Sequence, residues 1–235
     1  MTWLLGKNPV SWLMRTVREK GPRRAIDLLW NVTLDVSWDF MHGTETLARI
    51  DPRNIETDSS NKARATTYGA TRARPLVKLL GCLGLPREGS FVDLGSGKGR
   101  VLLIAAQYGF RKVIGVEFSE PLCRVARRNW EVFSHRQKLE SNVVVVHADV
   151  VDYAFHSDEI IFFLYDPFSS EVLTQVLDNL RRSVAANPRD IWLISNSPRY
   201  HELMVGCGLF NEDRRYVIGG SEFHVYKNAR SPGGG

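Results

Sequence analysis

The chain has 235 residues, of which 43% are hydrophobic and 24% charged, and it suits one large soluble domain, or one domain with an N-terminal extension. The net charge is +5, but the basic residues are not concentrated in a long Lys/Arg run, so the charge gives little indication of an acidic partner. No stretch reaches the roughly 18–20 apolar residues of a membrane span, and the N-terminus lacks the pattern of a signal peptide. Three widely spaced cysteines, interpreted as buried small apolar residues, argue against a disulfide framework or zinc site and fit the cytoplasm.

Residues 1–60 are predicted to form a helical extension and linker. Asn8-Pro9 is typical of a helix start, and Gly21-Pro22 stops the helical pattern that follows it. A second amphipathic stretch places Ile26, Leu29 and Trp30 on one face. Basic polar faces would suit an anionic membrane surface. We expect instead that the apolar stripes pack on the main domain.

Residues 61–229 are predicted to form the main domain, with 230–235 as a flexible tail. A polar loop precedes a helix in "RARPLVKLLGCLGL" that ends near Gly84. From Phe91 onward, apolar strand patterns alternate with helical ones, and the strand patterns are "FVDL", "KVIGVEF", "NVVVVHA", "EIIFFLYD" and "DIWLIS". The third and fourth of these are continuous apolar runs, as expected for strands buried on both faces.

The last apolar stretch, "RRYVIGGSEFHVYK", leaves no room for a helix and predicts an antiparallel hairpin around Gly219-Gly220. Together these patterns predict an α/β fold that is Rossmann-like and doubly wound. It has a mostly parallel seven-stranded sheet, a C-terminal antiparallel hairpin and an N-terminal helical extension.

The stretch "VDLGSGKGR" places three glycines at alternate positions directly after a strand. This spacing fits neither the phosphate-binding G-x-x-x-x-G-K-[ST] pattern nor the G-x-G-x-x-G of dinucleotide folds. Asp93 stands two places before Gly95, where a carboxylate would repel pyrophosphate but attract an ammonium group. Lys98 and Arg100 are interpreted as surface or helix-start residues.

Acidic residues also end the next two strands. Glu117 lies about 20 residues beyond the glycines, where an acid can accept hydrogen bonds from both ribose hydroxyls. Asp149 is placed to accept from an adenine amino group, although the nearby Asp152 could take that role. A ligand with ribose, adenine and a cationic amino-acid end is S-adenosyl-L-methionine, and we predict it as the cofactor.

The ordered motifs "VDLGSGKGR", "GVEFS", "HADV" and "FLYDPF" resemble those of class I S-adenosylmethionine-dependent methyltransferases. More narrowly, "HGTET", "YGATRARPL" and the glycine loop resemble a largely unassigned bacterial group. The resemblance covers about residues 40–228, and in that group a tyrosine equivalent to Tyr68 lies near the methionine end of the cofactor. The predicted cofactor-binding residues are Tyr68, Asp93, Gly95, Ser96, Gly97, Glu117, Phe118, Asp149, Val150 and Asp166.

Asp166-Pro167-Phe168 resembles a shortened form of the Asp/Asn-Pro-Pro-Tyr/Phe motif of amine and amide N-methyltransferases, with one proline missing. The alternative is that Asp166 only caps the following helix. The predicted catalytic residues are Asp166, Tyr165, Phe168 and Tyr68, with Asn196 and Ser197 as further pocket residues. His147 and His201 are general-base candidates only because the ordinary pKa of a histidine is near neutral. No cluster of His, Cys and Asp residues in the sequence predicts a metal site.

The resulting hypothesis is an enzyme that methylates a nitrogen, or else an oxygen, of a small-molecule acceptor by in-line displacement. A protein lysine N-methyltransferase is the first alternative, and a non-catalytic S-adenosylmethionine-binding protein is the second. We expect no nucleic-acid partner, because no basic stripe interleaved with aromatic residues is visible.

Overall fold

Helices and strands alternate along the chain in the computed structural model, which describes residues 14–15, 17–19, 21–47, 70–165, 168–196 and 199–228. The helices are α1 (Pro22–His42), α2 (Ala73–Leu83), α3 (Arg100–Tyr108), α4 (Glu120–Gln137), α5 (Ser170–Ala186) and α6 (His201–Gly206). The strands are β1 (Ser90–Leu94), β2 (Lys112–Glu117), β3 (Asn142–His147), β4 (Glu159–Leu164), β5 (Trp192–Asn196), β6 (Glu212–Ile218) and β7 (Ser221–Lys227). The predicted helix starting at Asn8-Pro9 lies mostly outside the described residues, as does the predicted loop that includes Tyr68.

The strands form one seven-stranded sheet in the order β3-β2-β1-β4-β5-β7-β6. Strands β1 to β5 pair in parallel, and β7 pairs antiparallel with both β5 and β6. The predicted fold class is therefore confirmed. Because the five parallel strands point the same way, their carboxyl ends share one edge of the sheet, which is where doubly wound folds bind ligands.

The two apolar faces of the sheet are each covered by helices. Leu76 and Leu79 of α2 pack with Phe91 and Phe163 on one face. The other face is formed with α5, whose stripe is buried as its sequence pattern predicts. The C-terminal hairpin turns at Gly219 and Gly220, whose φ angles of 55° and 79° are those of a type I′ turn.

Strand β3 differs from the sequence prediction of a strand buried on both faces. It is the edge strand of the sheet and pairs only with β2, so its residues alternate between exposed and half-buried. Its unbroken valine run therefore reflects β propensity rather than complete burial. The cysteine interpretation is likewise correct for the buried Cys123 and wrong for Cys82, which is exposed at the surface of α2.

Helix α1 packs on the domain through a different face from the one its sequence indicates. Ile26 and Trp30 are 66% and 63% exposed, whereas Ala25 and Trp38 are buried. The expectation that the Ile26–Trp30 stripe covers the domain is wrong, because other residues of α1 face the domain: Trp38 packs in the hydrophobic core, and Asp35 and Asp39 pair with Arg100. None of the described helices is long and apolar enough to cross a membrane.

Candidate active site

The glycine loop follows β1 and is held against the end of β2. The backbone N–H groups of Gly95 and Ser96 both donate to Val116 O, at 2.8 and 3.0 Å. Gly95, Gly97 and Gly99 have φ angles of 83°, 53° and 84°, a region in which L side chains are strained. The glycines at alternate positions are therefore explained by the backbone conformation of the loop. The loop leads directly into α3.

Glu117 ends β2 and lies beneath this loop. Its carboxylate accepts hydrogen bonds from the N–H of Gly97 at 2.8 Å and from the N–H of Ser119 at 3.0 Å. Burial raises the pKa of Glu117 to about 7, and these backbone N–H groups oppose the rise. A carboxylate has about four acceptor sites, so capacity remains for the hydroxyls of a ligand.

Asp93 lies in β1, where it pairs with Gly115 of β2, and it is only 3% exposed. Burial raises the pKa of Asp93 well above its usual range, and the negative charge of Glu117 raises it further. In the described part of the chain, neither acid forms an ion pair with a lysine or arginine. A cationic group beside these acids would offset both effects, so the residues present fit a ligand with a positively charged amino-acid end.

The residues predicted around the adenine follow β2 and β3. Ala148 N donates to Glu117 O at 3.0 Å, which brings the segment carrying Asp149 and Val150 next to the acid. Asp149 Oδ1 accepts from Val151 N at 3.2 Å and is half-buried, while Asp152 is exposed. Phe118 directly follows Glu117 and is partly exposed at the same edge of the sheet.

The predicted acceptor residues follow β4 and β5. Tyr165 is 37% exposed, Phe168 is half-buried, and Asn196 is buried at the last position of β5. Ser169 is the N-cap of α5, and its side chain accepts from Val172 N, so this helix has a cap other than Asp166. Tyr68, Asp166 and Ser197 lie outside the described residues.

Gly115 in β2 is a functional position that the sequence reasoning did not include. A Cβ added there would lie 2.6 Å from Ser96 Oγ and 2.7 Å from Leu102 Cδ1, closer than real Cβ contacts. The glycine loop therefore packs directly on the backbone of β2. A glycine inside a strand is a known sign of such close approach.

The sequence predicts Arg100 to be a surface or helix-start residue. It does start a helix, but it does not lie at the surface. It is the first residue of α3, but its side chain is 1% exposed and pairs with Asp35 at 3.1 Å and with Asp39 at 3.2 Å. Its Nε donates to Thr46 Oγ1 at 2.6 Å and its Nη1 to Thr71 O at 3.5 Å.

Lys98 is also enclosed rather than at the surface, at 3% exposure. It pairs with Glu45 at 3.3 Å, and Asn129 Nδ2 donates to the carbonyls of both residues. Together with Arg100, these contacts fix α1 and residues 43–47 against the glycine loop. Buried arginine pairs of this kind leave no periodic signal in the sequence.

The sequence predicts no metal site, but the fold brings together three residues of the types that bind metals. His201, Asp213 and His224 bring their ligand atoms within 4.8 Å of one another at the end of the sheet formed by β7 and β6. His147, the other histidine considered, lies instead near the cofactor edge, with Nε2 3.0 Å from Phe118 O.

The sheet order, the alternate-glycine loop and the acid at the end of β2 define a class I S-adenosylmethionine-dependent methyltransferase. The family model described as "Histone methylation protein DOT1" matches residues 49–178, more than half of the chain. The protein belongs to this family, and its cofactor is S-adenosyl-L-methionine. Comparison with curated protein sequences gives no match.

Solved structures of methyltransferases share the fold. The pyocyanin biosynthetic protein PhzM gives a TM-score of 0.52 at 20% identity, over 66% of this chain and 54% of that one. The ribosomal protein L11 methylase of Lactobacillus delbrueckii subsp. bulgaricus gives 0.50 at 14% identity, over 72% and 83%. A structure from Methanococcus maripaludis, described as an S-adenosyl-L-methionine-dependent methyltransferase, gives 0.54 at 10% identity, over 68% and 86%. This chain spans about half of PhzM, and such low identities show the fold alone.

Proposed function

We propose that this protein is an N-methyltransferase whose acceptor is the side-chain amine of a lysine in a partner protein. The observation that carries the proposal is the match to the histone methylation family model, which extends from residue 49 through the glycine loop and β4 to residue 178. The competing candidate is the small-molecule acceptor expected from the sequence. The assay described below distinguishes a small-molecule acceptor from a protein acceptor.

We assign the cofactor to the edge formed by the ends of β1, β2 and β3. Asp93 and Glu117 are buried acids without a described cationic partner, which suits the ammonium end and the ribose hydroxyls. Gly95, Ser96 and Gly97 supply backbone that can approach a ligand closely. Phe118, Asp149 and Val150 are the proposed adenine contacts.

We assign the acceptor to the neighbouring ends of β4 and β5. Strand β4 lies beside β1, and Leu164 at its end pairs with Leu94. Tyr165 is the next residue after β4, so it lies at the same edge of the sheet as the strand end that follows Asp93. The exposed Tyr165 and the half-buried Phe168 offer aromatic faces for an amine and its ammonium product, a contact worth about 0.5–2 kcal/mol. Tyr68 and Asp166 remain proposed members of this pocket from the sequence motifs alone.

The chemistry of this assignment needs no metal and no covalent enzyme intermediate. The bound cofactor supplies a methyl group attached to a positively charged sulfur. The lone pair of a neutral lysine amine forms the new nitrogen–carbon bond, the carbon–sulfur bond breaks with its electrons on sulfur, and the product ammonium can release a proton to solvent. The protein's contribution is therefore to orient the amine and to exclude water.

The test is a methyl-transfer assay with the purified full chain, cofactor labelled in its methyl group and a cell extract separated by size. We expect label in the macromolecular fraction, released by protease and stable to nuclease, with methylated lysine in the acid hydrolysate. Label in the small-molecule fraction, or label released by nuclease, would overturn the lysine assignment.

A pair of glutamate variants gives the control for this assay. Glu117→Ala removes the buried acid and should abolish most labelling, whereas Glu131→Ala changes an exposed residue of α4 and should label as the parent does. Equal labelling by both variants would show that the signal does not come from this site.

A further inference from the structure

A second cluster of chemically active side chains lies on the C-terminal hairpin, away from the glycine loop. His201 begins α6, Asp213 lies in β6 and His224 in β7, and their ligand atoms all lie within 4.8 Å of one another. Strands β4 and β5 separate β7 from β1 in the sheet. The cluster is therefore distinct from the proposed cofactor and acceptor residues.

The carboxylate of Asp213 lies between the two imidazoles. Its Oδ1 is 3.1 Å from His224 Nδ1, and its Oδ2 is 3.7 Å from His201 Nε2. Tetrahedral zinc with N and O ligands at about 2.0–2.2 Å places those ligand atoms about 3.4 Å apart. The two separations lie on either side of that value, and the ligand atoms of all three residues lie within 4.8 Å of one another, so small side-chain shifts would bring them to metal-binding distances.

The outward nitrogen of each imidazole has its own oxygen partner. His201 Nδ1 lies 2.8 Å from Tyr226 Oη, and His224 Nε2 lies 3.3 Å from Glu222 Oε1. Metal-binding histidines usually donate their second N–H to such an oxygen, which directs the other nitrogen's lone pair toward the metal.

Glu222 is held in turn by Arg215, whose Nε donates to Oε1 at 2.8 Å. Arg215 and Glu222 thus form an outer layer around the buried His224, which is 7% exposed. A site with two histidines, one carboxylate and oriented outer partners matches the preference of borderline divalent ions for imidazole with one oxygen ligand.

We propose that His201, Asp213 and His224 bind a Zn²⁺ ion, with a fourth position open to water. The ion would join α6, which follows β5, to the hairpin that pairs with β5 through Ser195 and His224. It would stabilise the sheet end next to the proposed acceptor pocket without taking part in methyl transfer. The competing account is that the same three residues form only ion pairs, with protonated imidazoles.

The test is calorimetric titration of the purified, chelator-treated full chain with zinc chloride. We expect one Zn²⁺ per chain, with affinity lowered at least tenfold in His201→Gln and in Asp213→Asn. Glu222→Ala should lower affinity by roughly 10–100-fold through loss of the outer partner. His135→Gln changes an exposed histidine of α4 and should bind as the parent does.

Three further measurements show whether the binding comes from these residues in the folded protein. Cys82→Ser removes the exposed thiol and should leave the stoichiometry unchanged. Cobalt(II) in place of zinc should give visible absorption typical of tetrahedral coordination, without a thiolate charge-transfer band. His201 is partly exposed, so His201→Gln should keep the parent's circular dichroism. Absence of zinc binding by the parent, or binding by His201→Gln and Asp213→Asn as tight as that of the parent, would overturn the proposal.

Discussion

Arg100 Nε donates a hydrogen bond to Thr46 Oγ1 across 2.6 Å, joining the first turn of α3 to the segment that follows α1. The same guanidinium reaches Thr71 O at 3.5 Å. The Arg100 side chain therefore contacts Thr46 and Thr71, which lie before and after residues 48–69 in the sequence. Tyr68 belongs to that stretch. The carboxylate partners of Arg100, which are Asp35 and Asp39, complete the set of acceptors.

Arg100→Met should destabilise the protein strongly, because it leaves two mostly enclosed carboxylates without their cation. Breaking a buried pair costs about 3–5 kcal/mol, and at the lower end this corresponds to a fall in melting temperature of roughly 6–12 °C. Arg181→Met is the matched control, since Arg181 pairs with Asp178 at 3.3 Å on an exposed face. Such a pair contributes less than about 1 kcal/mol. Similar melting temperatures for both variants would show that the Arg100 network contributes little.

Gly115→Ala should weaken cofactor binding although residue 115 carries no functional group. The added Cβ would lie 2.6 Å from Ser96 Oγ, so the glycine loop must shift. We expect the affinity for S-adenosyl-L-homocysteine, measured by calorimetry, to fall at least tenfold.

Gly81→Ala provides the control for this substitution. Nothing lies within 4 Å of a Cβ built at Gly81, which is inside α2. That variant should bind normally and gain about 0.5–1 kcal/mol of stability. Unchanged affinity in Gly115→Ala would mean that the loop tolerates displacement.

Asp166→Ala tests the acceptor assignment taken from the "DPF" motif. If Asp166 orients the amine, turnover should fall by a larger factor than cofactor affinity does. Ser169 already caps α5, so loss of a helix cap is not expected to complicate the result. Steady-state rates and calorimetry on the same preparation separate the two effects. A larger loss of cofactor affinity than of turnover would move the acceptor pocket elsewhere.

The glycine loop, the alternation of strands with helices and the position of Glu117 at the end of β2 could be predicted because their signals are local. Glycines at alternate positions, an apolar strand and an acid some 20 residues later are all visible within one βαβ unit. The hairpin is equally local, since Gly219-Gly220 marks its turn.

The missed features depend on contacts between residues that are distant in sequence. Arg100 meets Asp35 across 65 positions and Thr46 across 54, and no periodicity connects them. The His201 and His224 imidazoles meet because the hairpin folds back on α6. The stripe of α1 could not be placed for the same reason, because the face that contacts the domain carries Asp35 and Asp39 beside Trp38 and does not stand out as apolar.

The raised pKa of Glu117 has a consequence for stability, with a defined sign. Its value is about 7 in the folded chain against 4.5 ordinarily, so protonation favours the folded state. This contribution is complete below about pH 4.5 and is lost as the pH rises to about 7. Relative to Glu117→Gln, the parent without cofactor should gain up to about 3 kcal/mol of unfolding free energy between about pH 7 and pH 4.5, measured by urea denaturation.

Cofactor affinity should show the opposite dependence on pH, because hydroxyl donors and a cationic ligand favour the ionised carboxylate. With a pKa of about 7 in the free protein, affinity should rise roughly tenfold from about pH 6 to pH 8. Glu117→Gln should bind more weakly and show little dependence on pH, and Glu117→Ala should lose at least tenfold in affinity. Calorimetry with S-adenosyl-L-homocysteine at several pH values checks all three. An affinity independent of pH in the parent would mean that Glu117 does not change its ionisation when the cofactor binds.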